Sequence, residues 1–231
     1  MMRYEQLLQP ARFSDLPADS LLDATEADRA RVVQSAPVRR LQQKTQVFPL
    51  DVKASVRSRL THSLEVQQVG RQICRALLRA KADAGLPEMP LLNLLEMACL
   101  LHDVGNPPFG HFGESVLREW LGQQLPRLYA QCLAQEPSEL WTRTLQPDLL
   151  AFDGNAQSLR LAHSLQQMDL TYSLLATLIK VPVGMGDGAE PGQKIGYFYS
   201  ERRLVSQLRQ QLGVQVGQRF PLVYLMEAAD D

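Results

Sequence analysis

Residues 99–114 read Cys99-Leu100-Leu101-His102-Asp103-Val104-Gly105-Asn106-Pro107-Pro108-Phe109-Gly110-His111-Phe112-Gly113-Glu114. An apolar run ends in adjacent histidine and aspartate, crosses a glycine-proline loop and reaches a second histidine and a glutamate. Upstream, Leu91, Leu94, Leu95, Ala98 and Leu101 recur at the spacing of one face of an α-helix. His102 and Asp103 are therefore expected in the last turn of a buried helix, at the edge of a core. Burying a polar group without a partner costs about 2–7 kcal/mol, so an imidazole beside a carboxylate there requires compensation. A metal ion would supply it.

Working outward, Gly85 and Pro87 close a preceding helix whose apolar face reads Val66, Val69, Ile73, Ala76, Leu77 and Ala80. His62 lies on that face near the helix start, with Arg57 and Arg59 beside it. A lone histidine so placed is ordinarily a satisfied core or surface residue; the company of the His102-Asp103 pair is what makes it a candidate ligand. Beyond the loop, Glu114 is expected in the first turn of a helix containing Val116, Leu117 and Trp120, where a carboxylate complements the helix dipole. His111 has less structural excuse, because the glycines around it let the backbone present its side chain closely to a ligand.

The remaining chain predicts an all-α architecture, a helical bundle with irregular loops. Residues 1–24 read as an N-terminal arm and 25–231 as the core. Thr25 with Asp28 resembles a capping pair opening a helix to about Ser35, and Pro37 restarts the chain. Arg39 to Pro49 is rich in long polar side chains and suits a loop or helix end beside a cleft. Residues 122–150, with Pro126, Pro137 and Pro147, read as connections around short helices. Phe152 to Gln157 opens a helix in which Asn155 is either the N-cap or turns its amide into a cleft. His163 falls mid-helix as a core residue, Thr171 to Lys180 is a further short helix, and the Gly- and Pro-rich stretch 181–196 is a mobile loop carrying Lys194 near its end. Ser200 caps a helix with Leu204, Leu208 and Leu212 on one face, and Pro221 opens the last, Leu222 to Asp231. The pattern stops in mid-helix, which is the expectation for a chain truncated at its C-terminus.

With 231 residues and 45% hydrophobic composition the chain can bury a substantial core. Twenty-four Lys and Arg stand against 25 Asp and Glu, a formal net charge of -1, which excludes a protein organised globally around polyanion binding and leaves basic patches a local matter. Cys74, Cys99 and Cys132 lack the spacing of a zinc ribbon or disulfide framework and read as reduced core residues. No leader-like or membrane-spanning apolar stretch is present in the sequence, so the expectation is a cytoplasmic protein without membrane contact.

His62, His102, Asp103 and the distant Asp230 together offer two imidazoles and two carboxylates, one metal's worth of ligands. Mixed nitrogen and oxygen donors without cysteine suit Mn2+, Mg2+, Fe2+ or Ni2+, with Zn2+ also open. This H…HD…D arrangement resembles the signature of the HD-domain phosphohydrolases. Arg39 to Pro49, Arg59-Leu60-Thr61-His62-Ser63, the stretch 99–114, Phe152 to Gln157 and Met226 to Asp231 resemble, more closely and in order, the bacterial deoxyguanosine triphosphate triphosphohydrolases. The resemblance implies an HD-domain bundle, one divalent metal on His62, His102, Asp103 and Asp230, and hydrolysis of a deoxynucleoside triphosphate, dGTP favoured, at the α-phosphorus to release inorganic triphosphate. It further implies His111 and Glu114 as a catalytic pair, Arg59 and Lys194 as phosphate contacts, Asn155 as a cleft contact and Gln46 as a deoxyribose contact. A homo-oligomer, with single-stranded nucleic acid as an effector, completes the expectation for a full-length parent. Family chains continue past the final Asp-Asp with a tyrosine that packs on the sugar, so the short chain is expected to bind metal poorly and to hydrolyse dGTP weakly or not at all. Two other readings compete: an HD phosphohydrolase acting on another nucleotide, and an inactive HD module serving oligomerisation or nucleic-acid binding. Intact His111 and Glu114 weigh against the last.

Overall fold

The computed structural model describes residues 4–14, 18–46, 57–133, 136–190 and 192–231. The elements are helices: α1 Tyr4–Leu7, α2 Leu21–Val33, α3 Ala36–Arg40, α4 Arg59–Ala80, α5 Glu88–Leu101, α6 Gly110–Leu133, α7 Gln146–Leu150, α8 Gly154–Arg160, α9 Tyr172–Thr177, α10 Arg202–Leu212 and α11 Pro221–Asp230. Short 3-10 and π-helical turns accompany them, and among the described residues β structure is confined to isolated bridges. The expected all-α bundle is what the chain forms.

The bundle is built around α5, which is buried at every position from Pro90 to Leu101. A helix hydrophobic all round must be enclosed on all sides. Here α2, α4, α9 and α11 enclose it. The closest neighbour, α4, turns Ser63, Val66, Gly70 and Cys74 inward, while Val69, Ala76 and Ala80 of the expected face are exposed. The seam is small because the two backbones come close: a Cβ at Gly70 would lie 2.6 Å from Cys99 Sγ. Buried Glu96 of α5 ties the layers together, accepting from Arg29 of α2 at 2.8 Å and from Arg71 of α4.

Several local readings are corrected. The first long helix begins at Leu21, with Ser20 Oγ accepting from Asp23 N at 3.1 Å; Thr25 and Asp28 have the same spacing one turn later but are buried within α2. Helix α6 runs through Pro126 to Leu133, where connections were expected. The missing ladder bond, a cost of about 3 kcal/mol, is absorbed by a 24-residue helix that buries Leu125. The N-cap of α8 is Asp153, which accepts from Asn155 N at 2.8 Å, so Asn155 is free of that duty. Ser200 lies in a single helical turn ahead of α10 instead of capping it. Cys74 and Cys99 are buried, and burial pushes their thiols up to about 11 and about 12, so they stay protonated. Cys132 is exposed, contrary to expectation.

Candidate metal centre and substrate cleft

His62 enters from the first turn of α4, whose N-cap Ser58 accepts from Thr61 N at 3.2 Å. His102 and Asp103 follow the C-terminal end of α5, and Asp230 is the last residue of α11. The ligand atoms of His62, His102 and Asp103 lie within 4.8 Å of one another. Asp230 Oδ1 stands 3.0 Å from His62 Nε2 and 3.3 Å from His102 Nε2. Thus residues 168 positions apart in sequence share one corner of the bundle.

The donor set fits a cation. His102 Nδ1 lies 2.6 Å from the Cys99 carbonyl oxygen, which makes Nδ1 the protonated nitrogen and leaves a lone pair on Nε2. That Nε2 is buried and makes no well-directed hydrogen bond, although Asp103 Oδ1 lies 3.6 Å away and Asp230 Oδ1 closer. A buried lone pair facing two carboxylates is the arrangement a shared divalent ion satisfies.

Asp103 is held from two sides. Arg59 Nη1 donates to Oδ2 at 2.5 Å and Asn106 Nδ2 donates to Oδ1 at 2.5 Å. Arg59 is therefore almost fully enclosed, with Gly110 passing so close that a Cβ there would lie 2.5 Å from Nη2. Lys44, half-buried, donates to the carbonyls of Asn106 at 2.6 Å and Val104 at 3.3 Å. Burial and the neighbouring Arg59 lower its pKa. The polar stretch before Pro49 does lie beside the loop between α5 and α6; its residues from 47 onward fall outside the described residues.

The loop ends in a left-handed pair, Phe109 at φ 66° and Gly110 at φ 54°, which starts α6 and lifts His111 out to 82% exposure. His111 Nδ1 meets Glu114 Oε2 at 2.9 Å, the i, i+3 spacing of one helix face. Glu114 sits just past the first turn and is buried. It does not merely complement a dipole: its Oε1 accepts from Gly154 N at 2.8 Å.

A cleft of about 480 Å³ opens over these groups, lined by Asp103, Asn106, His111, Asn155, Lys180, Lys194, Arg219, Glu227 and Asp230, with Val181 and Pro182. The expected contacts Asn155 and Lys194 are thus brought to it, whereas Arg59 reaches it from behind Asp103. Gln46 lies outside that lining, its N donating to Arg57 O at 3.4 Å. His163 packs against Phe13, 4.7 Å between centroids with the ring planes tilted by 57°, away from the cleft. Sequence reading missed Lys180, whose Nζ is 3.7 Å from Asp230 Oδ2, and Arg219, which pairs with Glu227. Lys180 lies just beyond α9 and ahead of Pro182, Arg219 precedes α11 and Glu227 lies within it, and no spacing in the sequence marks the three as cleft residues.

With this geometry in view, residues 59–137 match the HD domain family. The chain is 47% identical over 221 residues to a probable deoxyguanosinetriphosphate triphosphohydrolase of Pseudomonas aeruginosa, covering 89% of this chain and 44% of that protein. It is 42% identical over 242 residues to the deoxyguanosinetriphosphate triphosphohydrolase of Enterobacter sp. strain 638, covering 91% and 48%. For that of Yersinia pestis the figures are 44% over 239 residues, 89% and 47%. The chain spans a little under half the length of these curated relatives. No helix among the described residues is long and apolar enough to cross a membrane.

Proposed function

We propose that the HD domain serves a metal-dependent triphosphohydrolase that converts dGTP and water to deoxyguanosine and inorganic triphosphate. The observation that carries this is the convergence of His62, His102, Asp103 and Asp230 at the floor of a cleft whose walls bear Lys180, Lys194 and Arg219. A deoxynucleoside triphosphate is the substrate class of the relatives as named, and three cations around a carboxylate-rich floor suit its charge.

The four floor residues would hold one divalent ion, Mn2+ or Mg2+ first, with Fe2+, Ni2+ or Zn2+ open to the same donors, and that ion would neutralise oxygens on the α-phosphorus. His111 faces the cleft with Nδ1 engaged by Glu114, which leaves Nε2 to accept a proton from the attacking water or donate one to the leaving oxygen. Lys194 and Lys180 take β- and γ-phosphate oxygens, Arg59 balances charge from behind Asp103, Asn155 contributes an amide, and Gln46 is assigned to the deoxyribose. Phosphoryl transfer depends on such positioning and charge stabilisation more than on covalent chemistry.

Exposed Phe112, Val116 and Trp120 along α6 support a homo-oligomer. Arg202, Arg203 and Arg209 along a groove of about 940 Å³ beside α10 support single-stranded nucleic acid as an effector. A free deoxynucleoside triphosphate as substrate supports a cytoplasmic location. The deciding experiment is incubation of the full-length parent with dGTP, dATP or GTP plus Mn2+ and chromatography of the products. Intact triphosphate and deoxyguanosine are expected; stepwise release of single phosphates would replace this reading with a different nucleotide phosphohydrolase.

A further inference from the structure

We infer that Gly154, the first residue of α8, is a positioning residue that joins the metal half of the site to the His111–Glu114 pair. The inference rests on the proposed role of that pair. Gly154 lies 40 positions beyond Glu114, yet its N–H donates to Glu114 Oε1 at 2.8 Å. Glu114 Oε2 is the oxygen that meets His111 Nδ1. A buried carboxylate with one oxygen fixed can present the other in only one direction, so the backbone of α8 aims the imidazole.

The same residue touches the other half. A Cβ at position 154 would lie 2.0 Å from Asn106 Oδ1, and Asn106 Nδ2 donates to Asp103 Oδ1. The absence of a side chain is what lets Asn106 turn its amide toward Asp103. The junction is clamped from beneath: Gly105 N donates to Ser158 Oγ at 3.0 Å, Ser158 Oγ donates to Gly154 O at 3.0 Å, and a Cβ at Gly105 would lie 2.0 Å from that same carbonyl oxygen. Gly105 thus packs against the backbone of α8, where any side chain forces the loop and α8 apart, whereas a Cβ at position 154 meets the Asn106 side-chain amide. Through this contact a shift of α8 moves Asp103 and His111 together.

The test is made on the 15N-labelled chain by NMR and needs no turnover. In Glu114→Ala the Gly154 amide is expected to exchange at least about ten-fold faster and to lose the downfield shift of a proton bonded to a carboxylate. Long-range 1H–15N spectra should show His111 in the Nδ1–H tautomer in the parent. Gly154→Pro and Gly154→Ala add a similar Cβ, but only proline removes the N–H, and proline is tolerated at a first helical position. Gly154→Pro should move His111 toward the Nε2–H tautomer, while Gly154→Ala keeps it Nδ1–H. An unchanged Gly154 amide in folded Glu114→Ala overturns the inference, as does an unchanged His111 tautomer in folded Gly154→Pro; if the proline variant does not fold, the exchange measurement decides. Absence of dGTP hydrolysis in the full-length parent would refute the enzymatic reading while leaving the tautomer result to judge Gly154.

Discussion

His102 Nδ1 and the carbonyl oxygen of Cys99 lie 2.6 Å apart at the C-terminal end of α5. The helix's own unpaired carbonyl therefore locks the ring, and the opposite nitrogen is delivered to the metal centre. Substituting His102 with Ala should weaken Mn2+ binding by at least about 100-fold, and His102→Gln should not restore it, because the amide carries no aromatic lone pair in that place. Isothermal titration with Mn2+ reads this; affinity within a few-fold of the parent would remove His102 from the ligand set.

Arg59 and Asp103 form a pair enclosed on nearly all sides. Removing one member of a buried pair leaves an uncompensated charge, at a cost of about 3–5 kcal/mol. Arg59→Ala should lower unfolding free energy by about that amount in metal-free buffer, and saturating Mn2+ should restore part of it by supplying Asp103 with a new counter-charge. Arg59→Lys should fall between, keeping charge and losing the planar fork. Urea unfolding with and without metal is the measurement, and a metal-independent loss would argue against Asp103 as a ligand.

Gly70 allows the backbones of α4 and α5 to approach across Cys99. Gly70→Ala should destabilise by about 1–3 kcal/mol through overpacking, beyond any gain in helix propensity. Cys99→Ala removes the atom that the new Cβ meets, so the double variant should recover most of that loss. A double-mutant cycle with no coupling would show that the seam relaxes elsewhere.

Asp28 is buried in α2, where it accepts from Thr171 N at 3.0 Å and Thr171 Oγ1 at 2.6 Å, with Arg12 Nη1 at 3.5 Å and Arg31 Nη1 at 3.9 Å. Burial pushes its carboxyl from 3.8 to about 6, against these contacts. The folded state then binds the proton more tightly than the unfolded chain, so the contribution to stability is fully present below the unfolded value and is lost as pH rises through about 6. Asp28→Asn lacks this dependence. The stability of the parent relative to the variant should fall by up to about 3 kcal/mol between pH 4 and pH 7, using 1.36 kcal/mol per unit. Parallel pH curves from urea unfolding would contradict it.

What the sequence determined by itself is local. The period of Leu91 to Leu101 makes a helix whose apolar sides must be enclosed, which places His102 and Asp103 at its end. The i, i+3 interval brings His111 onto Glu114, and Pro221 opens the helix that carries Asp230. Neighbours within one turn are fixed by helix geometry, so such pairs can be read before any packing is known. Where two equivalent signals compete, as with Ser20 and Thr25, periodicity cannot choose between them; burial of Thr25 and Asp28 against the rest of the chain does.

Only the tertiary structure decided which distant groups meet. That Asp230 stands between His62 and His102, that Arg59 is spent on Asp103 instead of facing open cleft, that Lys180 joins Lys194 on its wall, and that Gly154 aims Glu114 all depend on how four helices close around α5. Those contacts are selected by the shape of the packed seam, where a missing Cβ at Gly70, Gly105 or Gly154 admits a neighbour, and no residue spacing encodes which neighbour that will be.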